Sequence, residues 1–145
     1  MKNTETQRNE LIKETHEKGK MNLLPDFLKE QFKDFPLYSQ DGKKEKAQVI
    51  VKYFNPMGSG TFLALEGSPE GEDFVFFGYC YITEWEYGYF SLKELQKLQN
   101  QGHLIEIDLY SNCKTMKDYL EEIGVFEEYK RTFLDDEEEE EKWSN

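Results

Sequence analysis

The sequence has 145 residues, of which 37% are apolar and 15% aromatic, enough for one compact domain with a single core. Its net charge of -12 repels nucleic-acid phosphates and disfavours direct nucleic-acid binding. Two cysteines without Cys-x-x-Cys spacing exclude a disulfide framework and a zinc motif, and the lack of a long apolar run argues against a signal peptide and a membrane span. We therefore expect a cytoplasmic protein with reduced thiols.

The negative charge is concentrated in the second part of the chain. Residues 1–54 hold 11 lysines and arginines against 9 acidic residues, whereas residues 55–145 hold 7 against 21. The first part therefore carries a charge of +2 and the second a charge of -14. Such a surface favours a basic protein as its partner.

Residues 1–20 have helix-forming composition but few large apolar side chains. We expect them to form an N-terminal arm that is either frayed or helical against a partner. Residues 21–134 contain most of the apolar side chains and are predicted to form a single globular domain. Its first element is an amphipathic helix over about residues 25–34, followed by a loop with Asp41-Gly42 as its turn signal.

Three strands are predicted next. Residues 46–54 are rich in β-branched and aromatic side chains, and the turn residues 55–60 connect them to a strand over 61–66 in a β-hairpin. An acidic loop, GSPEGED, then leads to residues 74–82, which are apolar on both faces and predict a central, covered strand. Gly78 within this strand indicates a bulge or a close approach of another backbone.

The following segment combines helices with one more strand. Ser91 begins an S-x-x-E pattern, a capping box that starts a helix near residues 91–101. Residues 104–110 alternate in polarity and predict a strand or extended segment with one wet face. Thr115 is placed to cap helical sequence that continues to residue 133.

Together these elements predict an α+β fold, in which an antiparallel sheet of about four to five strands is covered by two to four short helices. Seven consecutive acidic residues, 135–141, dominate the segment 135–145, which we expect to be a disordered acidic tail when it has no partner. The tail has two interpretations. It is either a solvating segment or a mimic of a phosphate backbone that enters a basic nucleic-acid channel.

Four carboxylates precede the covered strand, at Glu66, Glu70, Glu72 and Asp73. Such groups can bind Ca²⁺ or Mg²⁺, or act as a general acid and base. Their spacing does not match a calcium-binding loop, and no histidine lies nearby in the sequence to complete a transition-metal site. Cys80 is expected to behave as a small hydrophobic side chain. The prediction is a solvated acidic turn, with no catalytic residue, metal or cofactor.

Aromatic residues are in excess, with 9 tyrosines, 11 phenylalanines and 2 tryptophans. Many lie around the covered strand and the strand after it, interleaved with glutamates. Stacking on bases normally needs a basic groove, which the sequence lacks, so these rings are either core residues or anchors for a protein partner. The predicted candidate contacts for a partner are Glu66, Glu70, Glu72, Asp73, Glu84, Trp85, Glu86, Tyr87, Asp135, Asp136, Glu137 and Glu138.

Several blocks occur in the order typical of one protein family. Within about residues 22–123 they are PLYSQDG, VKYFNPMGSGTFLALEGSPEGEDFVFFGY, EYGYFSLKEL and LIEIDLYSNCKTMKDYL. Over this range the chain resembles a bacterial domain of unknown function, number twenty-nine fifty-eight among such domains. The resemblance implies a gene carried on plasmids, phages or integrated mobile elements, and it implies no activity, cofactor or catalytic residue.

The leading hypothesis is a non-enzymatic module that binds a basic protein and contacts neither nucleic acid nor membrane. Mobile elements encode inhibitors of restriction and CRISPR nucleases, so the hypothesis includes an inhibitor of a nucleic-acid-binding defence protein that acts as a nucleic-acid mimic. Two alternatives stay open. One is a small metal-dependent enzyme that uses the acidic-loop carboxylates, and the other is an accessory factor for mobile-element transfer.

Overall fold

The computed structural model describes residues 5–10, 20–108 and 114–134. The strands are β1 Val51–Phe54, β2 Thr61–Glu70, β3 Asp73–Tyr81, β4 Trp85–Ser91 and β5 Glu106–Asp108. All five belong to one antiparallel sheet with the order β4-β3-β2-β1-β5. The predicted α+β class, with an antiparallel sheet of about four to five strands, is confirmed.

Helices cover both faces of the sheet. They are α1 Asp26–Phe32, α2 Leu92–Asn100, α3 Met116–Glu122 and α4 Phe126–Phe133; residues 5–10 are also helical, and Lys44–Lys46 form a 3-10 turn. α1 and α2 pack on one face in a core that includes Phe32, Phe76 and Leu95, whereas α3 and α4 pack on the other face with Tyr79 and Leu120. None of the helices in these ranges is long and apolar enough to cross a membrane.

Two of the predicted helix starts carry hydrogen-bonded caps. At α2 the Ser91 hydroxyl accepts a hydrogen bond from the Glu94 N–H at 3.2 Å. At α3 the Thr115 hydroxyl accepts from the Asp118 N–H at 3.3 Å, and the Asp118 carboxylate accepts from the Thr115 N–H at 3.1 Å. These bonds satisfy N–H groups that have no partner within a helix, which is why the sequence signals located both starts.

β3 lies inside the sheet and contributes side chains to both cores, as its apolar sequence predicted. The neighbouring β2 bulges at this point, because Leu65 is inserted between the residues that pair with Gly78 and Phe77. Gly78 lies so close to β2 that a Cβ built on it falls 2.0 Å from the Leu63 carbonyl oxygen. Of the two alternatives predicted at Gly78, the close backbone approach is present, and the bulge lies opposite it on β2.

β2 is longer than predicted and takes in much of the acidic loop. The sequence predicts a strand over 61–66 with GSPEGED as a loop, but the strand continues to Glu70. Gly67 donates its N–H to the Phe35 carbonyl at 3.0 Å, so this part of β2 is bonded to the segment after α1. The turn into β3 has only two central residues, and φ of +59° at Gly71 suits so tight a connection. The predicted loop was wrong because β2 stays paired with β3 as far as Glu70 and Asp73.

β1 is shorter than the predicted strand over 46–54. Val49 donates its N–H to the Lys114 carbonyl at 2.7 Å, so the residues before β1 bond to the segment ahead of α3. β5 likewise covers three residues of the predicted strand over 104–110, whose last two residues lie outside the described ranges. In both cases alternation identified extended chain, and for β1 the sheet pairing set where the strand begins.

Candidate partner-binding site

The four carboxylates ahead of β3 do not form one cluster. Glu66 is only 2% exposed, and its oxygens accept hydrogen bonds from the N–H groups of Tyr38 at 2.7 Å and Gln40 at 2.8 Å. These bonds hold the loop after α1, in which Tyr38 has a left-handed backbone with φ of +75°. Glu66 therefore anchors this loop. We remove it from the predicted partner contacts because its carboxylate faces inward.

Asp73 also has a role in the fold. Its carboxylate accepts hydrogen bonds from the Phe74 N–H at 2.8 Å and from the Lys93 N–H in the first turn of α2 at 3.1 Å. Slight desolvation raises the pKa of Asp73, but these bonds, a bond from Ser91 and the charge of Lys93 outweigh it and hold the pKa below its ordinary value. Asp73 thus helps to cap α2 and stays ionised at neutral pH.

Glu70 and Glu72 are the exposed members of the set, and they lie far from the glutamates of the next turn. They belong to the β2–β3 turn, whereas Glu84 and Glu86 lie near the other end of β3, roughly 25 Å away along a strand of 9 residues. Within the described ranges, no three or more His, Cys, Asp or Glu side chains are grouped so that they could hold a metal ion. The predicted acidic residues therefore occupy separate places on the molecule.

The aromatic excess forms a ladder of rings across β3 and β4. Three cross-strand pairs share one face of the sheet, with ring centroids 4.7 to 5.5 Å apart: Tyr79–Tyr87, Phe77–Tyr89 and Tyr81–Trp85. α4 covers the middle of this ladder, where the hydroxyls of Tyr87 and Tyr129 are 2.7 Å apart. Burial raises the pKa of both phenols, so they remain neutral hydrogen-bonding partners. The ladder is thus core in its middle, while Tyr81 and Tyr89 at its ends are exposed.

One end of the ladder opens into a surface pocket of about 460 Å³ between the β3–β4 turn and α4. This acidic pocket is lined by Tyr81, Thr83, Glu84, Trp85, Val125 and Glu128. Beside it, Ile82 is 60% exposed, so apolar surface is also available to a partner. Two aromatic rings and two carboxylates therefore share one concave surface, and none of its lining residues is a lysine or arginine.

The predicted partner contacts around β4 lie in different environments. Glu84 and Trp85 line the acidic pocket. Tyr87 is half-buried under α4, and Glu86 is exposed on the opposite face of β4, across from Cys80. The predicted contacts Asp135, Asp136, Glu137 and Glu138 lie outside the described residues.

Glu128 is a pocket residue that sequence reasoning missed. It lies on α4, more than forty positions from Glu84, and no local pattern links the two. The only sequence signal is helical spacing, because an α4 that buries Tyr129 leaves Glu128 on its exposed side. Only the packing of α4 beside the β3–β4 turn brings the two carboxylates to one pocket.

Two other pockets contain lysines and therefore differ in charge. One of about 330 Å³ beside α1 includes Lys29 and Lys33 together with Glu72 and Asp73, and one of about 370 Å³ under the loop after α1 includes Lys44 together with Asp41 and Glu66. By contrast, the lining of the acidic pocket contains two glutamates and no lysine or arginine. A positively charged group is therefore matched best by the acidic pocket.

Cys80 is a buried thiol that faces Glu86 across the β3–β4 pair. Burial, and to a lesser extent the negative charge of Glu86, raises the pKa of Cys80 to about 12. We predict that iodoacetamide at pH 8 alkylates Cys80 at least about a hundredfold more slowly in the folded protein than in urea, because the reactive thiolate is scarce and shielded. Mass spectrometry of the peptide that contains Cys80 measures both rates. Equal rates would contradict a buried, protonated thiol.

Comparison with models of known protein families matched residues 4–124 to the family described as Protein of unknown function (DUF2958). The match includes the whole sheet and agrees with the resemblance found over about residues 22–123. Two pocket residues, Val125 and Glu128, lie just beyond it. Neither the curated proteins nor the solved structures gave a match.

Proposed function

The chain belongs to the DUF2958 family, and from the acidic pocket we propose that it is a non-enzymatic module that binds a basic protein. The observation that carries the proposal is the presence of Tyr81 and Trp85 together with Glu84 and Glu128 in one exposed pocket. Aromatic rings supply contact area, and the carboxylates select for positive charge. Both the aromatic rings and the carboxylates can serve binding alone, without catalysing a reaction.

An arginine side chain of the partner suits this pocket. Its guanidinium can lie over the face of Trp85 or Tyr81 while its N–H groups donate to Glu84 and Glu128. Arginine and large aromatic residues are the commonest anchors of protein interfaces, and a bound partner would cover this open pocket and exclude water from their contacts.

Long-range charge supports the same class of partner. The chain carries -12 overall, and residues 53–92, which supply four of the six lining residues, have no cationic side chain, although α4 carries Lys130 and Arg131 after Glu128. Residues 135–141 contribute seven of the negative charges in that total. Such a field speeds the encounter with a basic protein, and salt weakens the effect.

We also propose that the chain is encoded by a mobile genetic element and that its partner is a nucleic-acid-binding defence protein of the CRISPR or restriction type. Such proteins use lysines and arginines to bind phosphates, and an acidic protein can occupy the same surface. The module would then inhibit its partner as a nucleic-acid mimic. Because these partners act in the cytoplasm, we assign the protein to that compartment.

The test compares wild-type protein with the double variant Glu84→Gln/Glu128→Gln. The matched control, Glu70→Gln/Glu72→Gln, removes the same charge from the exposed β2–β3 turn. Each protein is immobilised and exposed to bacterial lysate, and retained proteins are quantified by mass spectrometry with and without added DNA. We expect a nucleic-acid-binding protein to be retained by wild type and control, at least about tenfold less by the pocket variant, and to be displaced by DNA. Equal retention by all three proteins would contradict the proposal.

A further inference from the structure

The outer strand β4 has a free side, since it pairs with β3 and with no other strand in the described ranges. The direction of its backbone groups follows from β2. Gly67 on β2 points its N–H away from β3, to the Phe35 carbonyl. Its partner on β3, Phe76, therefore points its backbone N–H and C=O toward β4. This follows because paired residues of an antiparallel ladder either both bond to each other or both point away.

The same alternation continues into β4. The pairs that exchange hydrogen bonds between β3 and β4 are then Phe76–Phe90, Gly78–Gly88 and Cys80–Glu86. Consequently Trp85, Tyr87 and Tyr89 direct their N–H and C=O groups outward from the sheet. Their side chains lie on the face that carries the aromatic ladder.

β4 carries few of the usual features that block an open edge, and Glu86 is its one charged residue. Its sequence, WEYGYFS, has 7 residues and contains no proline or lysine, whereas 3 residues of the opposite edge strand β5 fall within the described ranges. A Cβ added to Gly88 meets nothing within 4 Å, and Tyr89 on the other face is 56% exposed. An extended chain can therefore approach β4 along its free side.

The charges beside β4 determine which extended chain fits. Glu84 and Glu86 are exposed at the start of the strand, whereas Lys93 follows its end and Lys44 lines a pocket with Tyr87 on the ladder face. A second copy of this protein would bring the same glutamates and another net charge of -12 to the edge, which disfavours self-pairing. A segment that carries lysine or arginine is favoured, because opposite charges on neighbouring strands stabilise the pair.

We propose that β4 receives an extended, basic segment of the partner as a sixth strand beside the acidic pocket. The proposal rests on the proposed function, because it describes how the same partner is held. On one face of the added strand, apolar side chains contact the ladder near Tyr87 and Tyr89, and on the other face lysine or arginine lies beside Glu86. The edge therefore recognises a pattern of alternating apolar and basic residues.

Hydrogen exchange of the full chain tests strand addition directly. The probe is a capped heptapeptide of alternating valine and lysine, and its control has glutamate in place of lysine. We expect the lysine peptide to slow exchange of the Trp85, Tyr87 and Tyr89 amides more than that of Gly88, which already bonds to β3. The proposal is overturned if those three amides are unchanged at millimolar lysine peptide, or if the glutamate peptide protects them equally.

A pair of substitutions at one residue separates backbone from side-chain recognition. Tyr89→Pro removes an outward N–H, whereas Tyr89→Ala removes the ring and keeps the N–H. We expect the peptide Kd to rise at least about tenfold for Tyr89→Pro and less than about threefold for Tyr89→Ala. Equal losses in both variants would overturn strand addition. If Tyr89→Pro does not fold, as judged by circular dichroism, the exchange experiment on wild type decides.

The outcomes keep the two proposals distinct. If Glu84→Gln/Glu128→Gln loses the captured partner while Tyr89→Pro retains it, strand addition fails and the proposed function stands. If the lysine peptide protects the edge but no basic partner is captured, the proposed function fails and the edge inference stands. A dimer in sedimentation that Tyr89→Pro abolishes would identify a second copy as the occupant and overturn the proposal.

Discussion

Gly78→Ala is expected to destabilise the domain by about 3–5 kcal/mol, a cost in the range of severe overpacking. The added Cβ would lie 2.0 Å from the Leu63 carbonyl oxygen and 2.9 Å from the carbonyl carbon. Both atoms are backbone within a hydrogen-bonded ladder, so no rotamer change can relieve the clash. β2 and β3 would have to separate at the centre of the sheet, between the two cores.

Gly88→Ala is the matched control, because Gly88 is the direct partner of Gly78 on β4. A Cβ at Gly88 meets nothing within 4 Å, so the change should stay within about 0.5 kcal/mol. Urea unfolding followed by fluorescence measures the free energy of unfolding of both variants. Similar values for the two glycines would show that the close contact at Gly78 is absent.

Glu66→Ala is expected to cost about 2–4 kcal/mol, since it leaves one buried and one partly buried N–H group without their carboxylate acceptor. Those N–H groups belong to Tyr38 and Gln40, at 2.7 and 2.8 Å from the carboxylate. The left-handed backbone of Tyr38 adds strain that these bonds oppose. Removing the carboxylate should therefore release the loop after α1 before it unfolds the sheet.

Native-state hydrogen exchange measures this local effect, and Glu70→Ala serves as the control because it removes an exposed carboxylate four positions away. The amides of Tyr38 and Gln40 should exchange at least about tenfold faster in Glu66→Ala and unchanged in Glu70→Ala. Unchanged exchange in both variants would mean that Glu66 does not anchor the loop.

Stability measurements also distinguish residues that support the fold from residues that are proposed to bind the partner. Glu84 and Glu128 lie at the rim of an open pocket. Their replacement by glutamine should change the free energy of unfolding by less than about 0.5 kcal/mol. Loss of partner capture in that variant would then report on recognition. Gly78 and Glu66, by contrast, act through the sheet and the loop that it supports.

Local sequence signals located much of the fold. Helix caps at Ser91 and Thr115 are read from short patterns, because the atoms that satisfy the first-turn N–H groups lie within a few residues of them. The apolar run of β3 predicted cover on both faces, and Gly78 predicted a bulge or a close backbone neighbour, of which the structure shows the close neighbour on β2. Each of these features depends on side-chain type and spacing along one element.

The candidate site depended on contacts between distant parts of the chain. Glu66, Asp73 and Glu72 look alike in the sequence, yet one anchors a loop, one helps to cap α2 and one faces solvent. Glu128 and Glu84 line the same pocket only because α4 packs beside the β3–β4 turn. Composition and periodicity alone determined that the chain is acidic, aromatic and α+β. Tertiary structure decided which carboxylates remain available, because a hydrogen bond to a distant backbone leaves no trace in local sequence.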